Sequence, residues 1–142
     1  MQKLHFSIDI NAPREKVWQV LWDDASYRDW TKAFSENSYA VSDWQEGSKI
    51  LFLDGNGSGM SSIIAKKVPN EFMSFHHLGE VRDGKELPQN KAWGESFENY
   101  TLTEHNGSTT LLVELDTPDE YQDMFSDMFP KALTRVKELA EK

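Results

Sequence analysis

The sequence predicts an α+β protein in which a curved, seven-stranded antiparallel sheet wraps around one long C-terminal helix, with two short helices after the first strand. Three observations carry that prediction. Leu4, Phe6, Ile8 and Ile10 alternate with polar residues at period two. From Glu36 onward the chain is a succession of short aromatic and β-branched runs broken by turn residues. Residues 118–142 then keep an unbroken i, i+3, i+4, i+7 rhythm of apolar positions.

The opening strand turns Leu4, Phe6, Ile8 and Ile10 to one side and Lys3, His5, Ser7 and Asp9 to the other, and it ends at Asn11. Ala12-Pro13 opens a helix, because a proline in the first turn gives up an N–H that has no partner there, and Glu15 sits where the helix dipole favours an acid. Val17, Trp18, Leu21 and Trp22 form its buried side. Residues 23–34 read as a second short helix or turn-rich segment, with Tyr27, Trp30 and Phe34 packed beneath the first. Six strands follow, over residues 39–44, 48–54, 60–68, 71–81, 93–104 and 108–116. The separators Gln45-Glu46-Gly47, Gly55-Asn56-Gly57, Pro69-Asn70 and Asn106-Gly107 are hairpin chemistry, and Asn-Gly suits a two-residue turn with positive φ. The longest irregular piece, residues 79–91, holds Asp83-Gly84 and Pro88 and reads as either a long hairpin tip or a flap.

The final helix carries Tyr121, Met124, Phe125, Met128, Phe129, Ala132, Leu133, Val136, Leu139 and Ala140 on one stripe, with Asp119, Glu120, Asp123 and Asp127 opposite. Pro130 falls on the polar side, where the loss of one backbone hydrogen bond bends the helix over whatever its stripe covers. A stripe built from Met and Phe is adaptable, so the helix either plugs a core or roofs a pocket.

The chain is 142 residues long and is expected to form a single domain over residues 1–142. Its net charge of -9 repels phosphate backbones and anionic headgroups, which argues against nucleic acid as a partner. The absence of cysteine removes disulfides, thiolate zinc sites and a cysteine nucleophile, and fits a reducing compartment. No stretch reaches the ~18 apolar residues that membrane insertion requires, and the N-terminus lacks the pattern of a secretory leader, so a cytoplasmic location is expected. The sequons at Asn56, Asn99 and Asn106 are accordingly read as chance. Acids early and Lys131, Arg135, Lys137 and Lys142 late in the last helix complement its dipole; the acids alternatively form a docking ridge for a basic partner.

A family resemblance is carried by Ile10-Asn11-Ala12-Pro13-Arg14-Glu15-Lys16-Val17-Trp18, Trp30, Gly47, the run over residues 63–69 into Phe72, Leu102, Asn106-Gly107-Ser108-Thr109 and the final helix. With these residues the chain resembles the START and birch-pollen-allergen superfamily, whose fold is called helix-grip. Within it, the chain is similar to bacterial proteins related to the C-terminal domain of the activator of the heat-shock-protein-90 ATPase. One departure is Met128-Phe129, where the family often has a Gly-Trp pair. The resemblance implies a cavity between sheet and long helix that accepts an apolar or amphipathic, lipid-like or aromatic small molecule. It implies no single chemistry, since superfamily members bind lipids, sterols, plant hormones and polyketides, a few are cyclases or hydrolases, and some act through protein contacts alone.

The candidate residues divide along the same lines. Gly55, Gly57 and Gly59 do not form a phosphate cradle, because a strand and not a helix follows them. His76 and His77 are adjacent on a strand and point to opposite faces, so they cannot share a metal; one of them faces the cavity, as a buried hydrogen-bonded group or a polar handle. Glu98 and Glu104 share a face but lie roughly 20 Å apart, with Glu95 on the other face, so no carboxylate pair forms there. A single inward Glu would still mark a site. Trp18, Trp22 and Trp30 are assigned to the helical corner, and Trp93, Phe97 and Tyr100 to the mouth of a pocket beside the long loop. No serine or other nucleophile stands in a recognisable motif, and no cofactor or metal is implied. The expected function is therefore non-catalytic binding of a small hydrophobic ligand by Phe97, Tyr100, Met124, Phe125, Met128 and His77. The alternative is a co-chaperone-like module whose acidic ridge contacts a heat-shock ATPase.

Overall fold

The computed structural model describes residues 2–88 and 96–142. Strand β1 (Gln2–Ile10) leads into helices α1 (Arg14–Trp22) and α2 (Asp24–Trp30), the latter extended by a 3-10 turn over Thr31–Ala33. Strands β2 (Tyr39–Val41), β3 (Lys49–Leu53), β4 (Gly59–Val68), β5 (Phe72–Arg82), β6 (Lys85–Glu86), β7 (Ser96–His105) and β8 (Ser108–Thr117) follow. A 3-10 turn over Asp119–Tyr121 then opens helix α3 (Gln122–Ala140). The sheet runs β1-β8-β7-β5-β4-β3-β2 with every pairing antiparallel, and β6 pairs with β5. Register shifts between Ser61 and Ser62 and between Ile64 and Lys66 are bulges, which bend β4 and help the sheet curve around α3. This is the helix-grip arrangement.

The predicted elements are present, with three adjustments. Asp83 (φ 52°) and Gly84 (φ 75°) both adopt the left-handed backbone that a two-residue turn demands, so the first part of the long loop is a hairpin tip that adds β6 as an eighth strand. Strand β2 stops at Val41 instead of Trp44, because Trp44 (φ 62°) leaves the extended region and packs its ring 5.7 Å from that of Trp22. The last helix begins at Gln122, after the 3-10 turn. The expected start of the penultimate strand, with Trp93 and Glu95, lies outside the described residues.

The concave face of β1 and β8 follows from the register: Leu4 opposes Leu115, Phe6 opposes Val113 and Ile8 opposes Leu111. Helix α3 crosses this face. The Phe129 ring stacks on Phe6 at 5.0 Å and meets Phe34 edge-on at 4.9 Å. From there to the C-terminus Ala132, Leu133, Val136 and Ala140 are buried, while Pro130 faces solvent within a continuous helix. The first turns differ: Phe125 and Met128 are half-buried and Met124 is 40% exposed. Helix α3 thus plugs the core with one half and overhangs open space with the other. A two-pronged ion pair, Arg135 Nε and Nη2 to Asp29 at 2.7 and 2.9 Å, ties α3 to α2 and holds the Asp29 carboxyl below its usual range. Among the described residues no helix is long and apolar enough to cross a membrane.

Candidate functional site

Between the sheet and the overhanging half of α3 lies a cavity of about 480 Å³. Its walls are largely aromatic: Trp22 and Trp30 from the helical corner, Tyr27 and Phe34 beside them, Phe52 from β3, and Phe125 and Phe129 from α3. Met124, Met128 and Tyr121 complete the roof. At the mouth the β3–β4 and β5–β6 turns touch, with Gly84 N–H donating to Gly57 O at 2.9 Å. Arg82 and Glu80, a further pair at 2.9 Å, also line the cavity.

The polar groups of the floor come from three neighbouring strands. Residues directly paired across a sheet share a face, and the register places Ser62 beside His77, Phe75 beside Glu98 and Met73 beside Tyr100. His77 and Ser62 are thereby brought to 2.6 Å (Nδ1 to Oγ), and His77 Nε2 lies 3.1 Å from Glu98 Oε1. The Tyr100 hydroxyl donates to Glu98 Oε2 in a short hydrogen bond. Ser62 is wholly buried, His77 nearly so, and the Glu98 side chain keeps 19% of its surface open.

These partners assign the hydrogens. A carboxylate only accepts, so the imidazole hydrogen facing Glu98 sits on Nε2. His77 Nδ1 is paired with the buried Ser62 hydroxyl, so both ring nitrogens are engaged and the ring is held between Ser62 and Glu98. Burial, and after it the charge of Glu98, pushes the Tyr27 and Tyr100 hydroxyls well above the phenol range, so both remain protonated. The string of serine, histidine and carboxylate does not make Ser62 a nucleophile, because Ser62 does not line the cavity. The group presented to a bound molecule is Glu98.

Five of the six residues expected from sequence, His77, Tyr100, Met124, Phe125 and Met128, line this one cavity. Phe97 does not. Strand alternation turns it away from Glu98 and Tyr100 to the outer face of the sheet, where it stacks on His76 at 4.6 Å and 16°. That contact also resolves the histidine pair: His77 faces inward and His76 outward. Trp22 and Trp30 do pack the helical corner, and the corner is itself a wall of the cavity. Glu104 accepts the Arg14 N–H at 3.0 Å, away from the cavity lining. Sequence reasoning missed Ser62, read Tyr27 only as a packing residue, and expected that a single inward Glu would mark a site without saying which; the structure turns Glu98 inward. The available signal was the parity of β5 and β7 relative to β4, which only the pairing defines. Among the described residues no three His, Asp or Glu side chains gather as a metal site.

Comparison with known proteins agrees with this architecture. A family model described as Activator of Hsp90 ATPase homolog 1-like protein matches residues 11–141. No curated protein matches the sequence. Among solved structures, the Aha1 dimer from Colwellia psychrerythraea is 20% identical with a TM-score of 0.75, the alignment covering 99% of this chain and 97% of that one. Protein MLL2253 from Mesorhizobium loti is 18% identical with a TM-score of 0.74, covering 97% and 96%. DynU16, from the dynemicin biosynthetic locus, is 15% identical with a TM-score of 0.74; all of this chain is covered but only 48% of DynU16, so the chain spans about half of that protein. At these identities the likeness is one of fold.

Proposed function

We propose, from the premise that this chain belongs to the Activator of Hsp90 ATPase homolog 1-like family, that it binds an apolar or amphipathic small molecule in the cavity between sheet and α3 without transforming it. The observation that carries the reading is the cavity itself. Its volume of about 480 Å³ is in the range of small-molecule sites, about 300–1,000 Å³, and its aromatic walls surround a few convergent polar groups. Burial of the ligand's apolar surface, at roughly 25 cal/mol per Å², supplies the affinity, and His77, Glu98 and Tyr100 orient the molecule. Tyr100, Met124, Phe125 and Met128 are its expected contacts.

The test uses the neutral fluorophore N-phenylnaphthylamine, which brightens in apolar sites. Met128→Asp, at a half-buried position of the roof, is expected to abolish binding while far-UV circular dichroism stays native. Undiminished binding in a folded variant, or no binding by the unmodified chain, overturns the reading.

A second reading, a co-chaperone-like module acting on a heat-shock ATPase, draws its support from the family description. Its surface would be the exposed acidic side of α3, including Asp123 and Asp127. If a purified Hsp90-type ATPase turns over at the same rate with and without the chain, this second reading falls.

A further inference from the structure

Among the described residues three carboxylates line the cavity, those of Asp54, Glu80 and Glu98, against the one guanidinium of Arg82. Two of the three are occupied at the mouth. Asp54 Oδ1 accepts the backbone N–H groups of Asn56 and Ser58 at 2.7 and 3.1 Å, and Glu80 holds Arg82. Glu98 has neither a lysine nor an arginine beside it among the described residues; its partners are the His77 ring and the Tyr100 hydroxyl. A carboxylate offers about four lone-pair positions, so two remain for a ligand.

The surroundings of this carboxylate are aromatic. Ring contacts run from Tyr100 to Trp22 (4.9 Å), from Trp22 to Trp44 (5.7 Å), from Trp44 to Tyr27 (6.4 Å), from Tyr27 to Phe52 (6.5 Å) and from Phe52 to His77 (6.1 Å). The circuit closes through Glu98, which is bonded to both His77 and Tyr100. Of these rings Trp22, Tyr27, Phe52, His77 and Tyr100 line the cavity, and aromatic faces, which carry negative quadrupoles, favour a cation over an anion beside a carboxylate.

We propose that the ligand of this cavity carries an ammonium group on an apolar or aromatic body, and that the ammonium docks on Glu98 inside the aromatic collar. The inference rests on the binding function proposed above and adds the chemical class. A neutral ligand of the same shape would seal a carboxylate away from water without neutralising it, which is costly. An ammonium fills the unused lone pairs with charge-assisted hydrogen bonds.

The experiment displaces bound N-phenylnaphthylamine with three molecules of nearly one shape: naphthylmethylamine, which is cationic at neutral pH, naphthylmethanol, which is neutral, and naphthoate, which is anionic. The amine is expected to compete about tenfold better than the alcohol, the difference between a charge-assisted and an ordinary hydrogen bond, and naphthoate worst. Glu98→Gln, which keeps the shape and removes the charge, is expected to bring amine and alcohol within about threefold of each other, whatever the variant's own affinity for the fluorophore. Equal competition by amine and alcohol on the unmodified chain overturns the ammonium inference and leaves the cavity reading standing. Failure of the fluorophore to bind overturns both. The three-probe comparison decides the matter even where Glu98→Gln does not fold.

Discussion

Phe129 and Met124 occupy the same apolar stripe of α3, and their replacement by alanine separates the plugging half of the helix from the overhanging half. Phe129 is 2% exposed and its ring contacts Phe6, Phe34 and Phe125 at 5.0, 4.9 and 5.9 Å. Truncating a buried Phe costs about 3–5 kcal/mol, aromatic pairs included. The lower end applies here, because Phe129 also lines the cavity and the vacated space joins a volume that water can enter. A loss of about 3 kcal/mol is a large part of a total of roughly 5–15 kcal/mol, and lowers Tm by about 6–12 °C for a chain of this size. Met124 is 40% exposed, so Met124→Ala is expected to cost about 0.5 kcal/mol or less. Urea titrations of both variants, with equal slopes to certify the same unfolding reaction, give the two numbers directly. Comparable losses at the two positions, or a loss under about 1 kcal/mol at Phe129, would refute the division of α3 into plug and roof.

Two further perturbations probe the floor of the cavity and the tie between helices. Tyr100→Phe keeps the ring and removes the hydroxyl that donates to Glu98; because Glu98 retains some openness to solvent, the cost is expected at about 1.5 kcal/mol, seen as a fall in Tm of about 3–6 °C, and an unchanged Tm would show that the hydroxyl donates nothing. Arg135→Met removes the partner that lowers the Asp29 pKa. A carboxyl whose folded pKa is depressed stabilises the protein above its unfolded pKa of about 3.9 and loses that contribution as pH falls through the folded value. The difference in urea midpoint between the unmodified chain and this variant should therefore be present at neutral pH and shrink as pH drops below 3.9; a difference that grows on acidification contradicts the assignment.

Much of the fold was legible in the sequence because the relevant signals are local. Period-two alternation from Leu4 to Ile10, the Asn106-Gly107 turn and the helical rhythm of residues 118–142 each depend on neighbours only a few positions away, and each corresponds to an observed element. Pro130 was correctly assigned to the solvent side for the same reason. The Met and Phe content of the last helix likewise announced that it would cover something irregular.

The inward face of β5 and β7 could not be read in this way. Phe72, Met73 and Phe75 put apolar residues on both faces of β5, so no alternation distinguishes His76 from His77 or Phe97 from Glu98. One step of register exchanges all four between the cavity and the outer face, and that step is decided by the pairing with β4, whose two register shifts the sequence does not announce. The pairing of β4, β5 and β7 unites Ser62, His77, Glu98 and Tyr100, and the helical corner supplies the aromatic wall around them. The sequence by itself determined that a sheet would wrap around a Met- and Phe-lined helix, since side-chain periodicity is a property of consecutive residues. Only the tertiary structure decided that half of that helix spans a hollow and that a carboxylate faces into it, since both depend on strand register and on how the helices lie against the sheet.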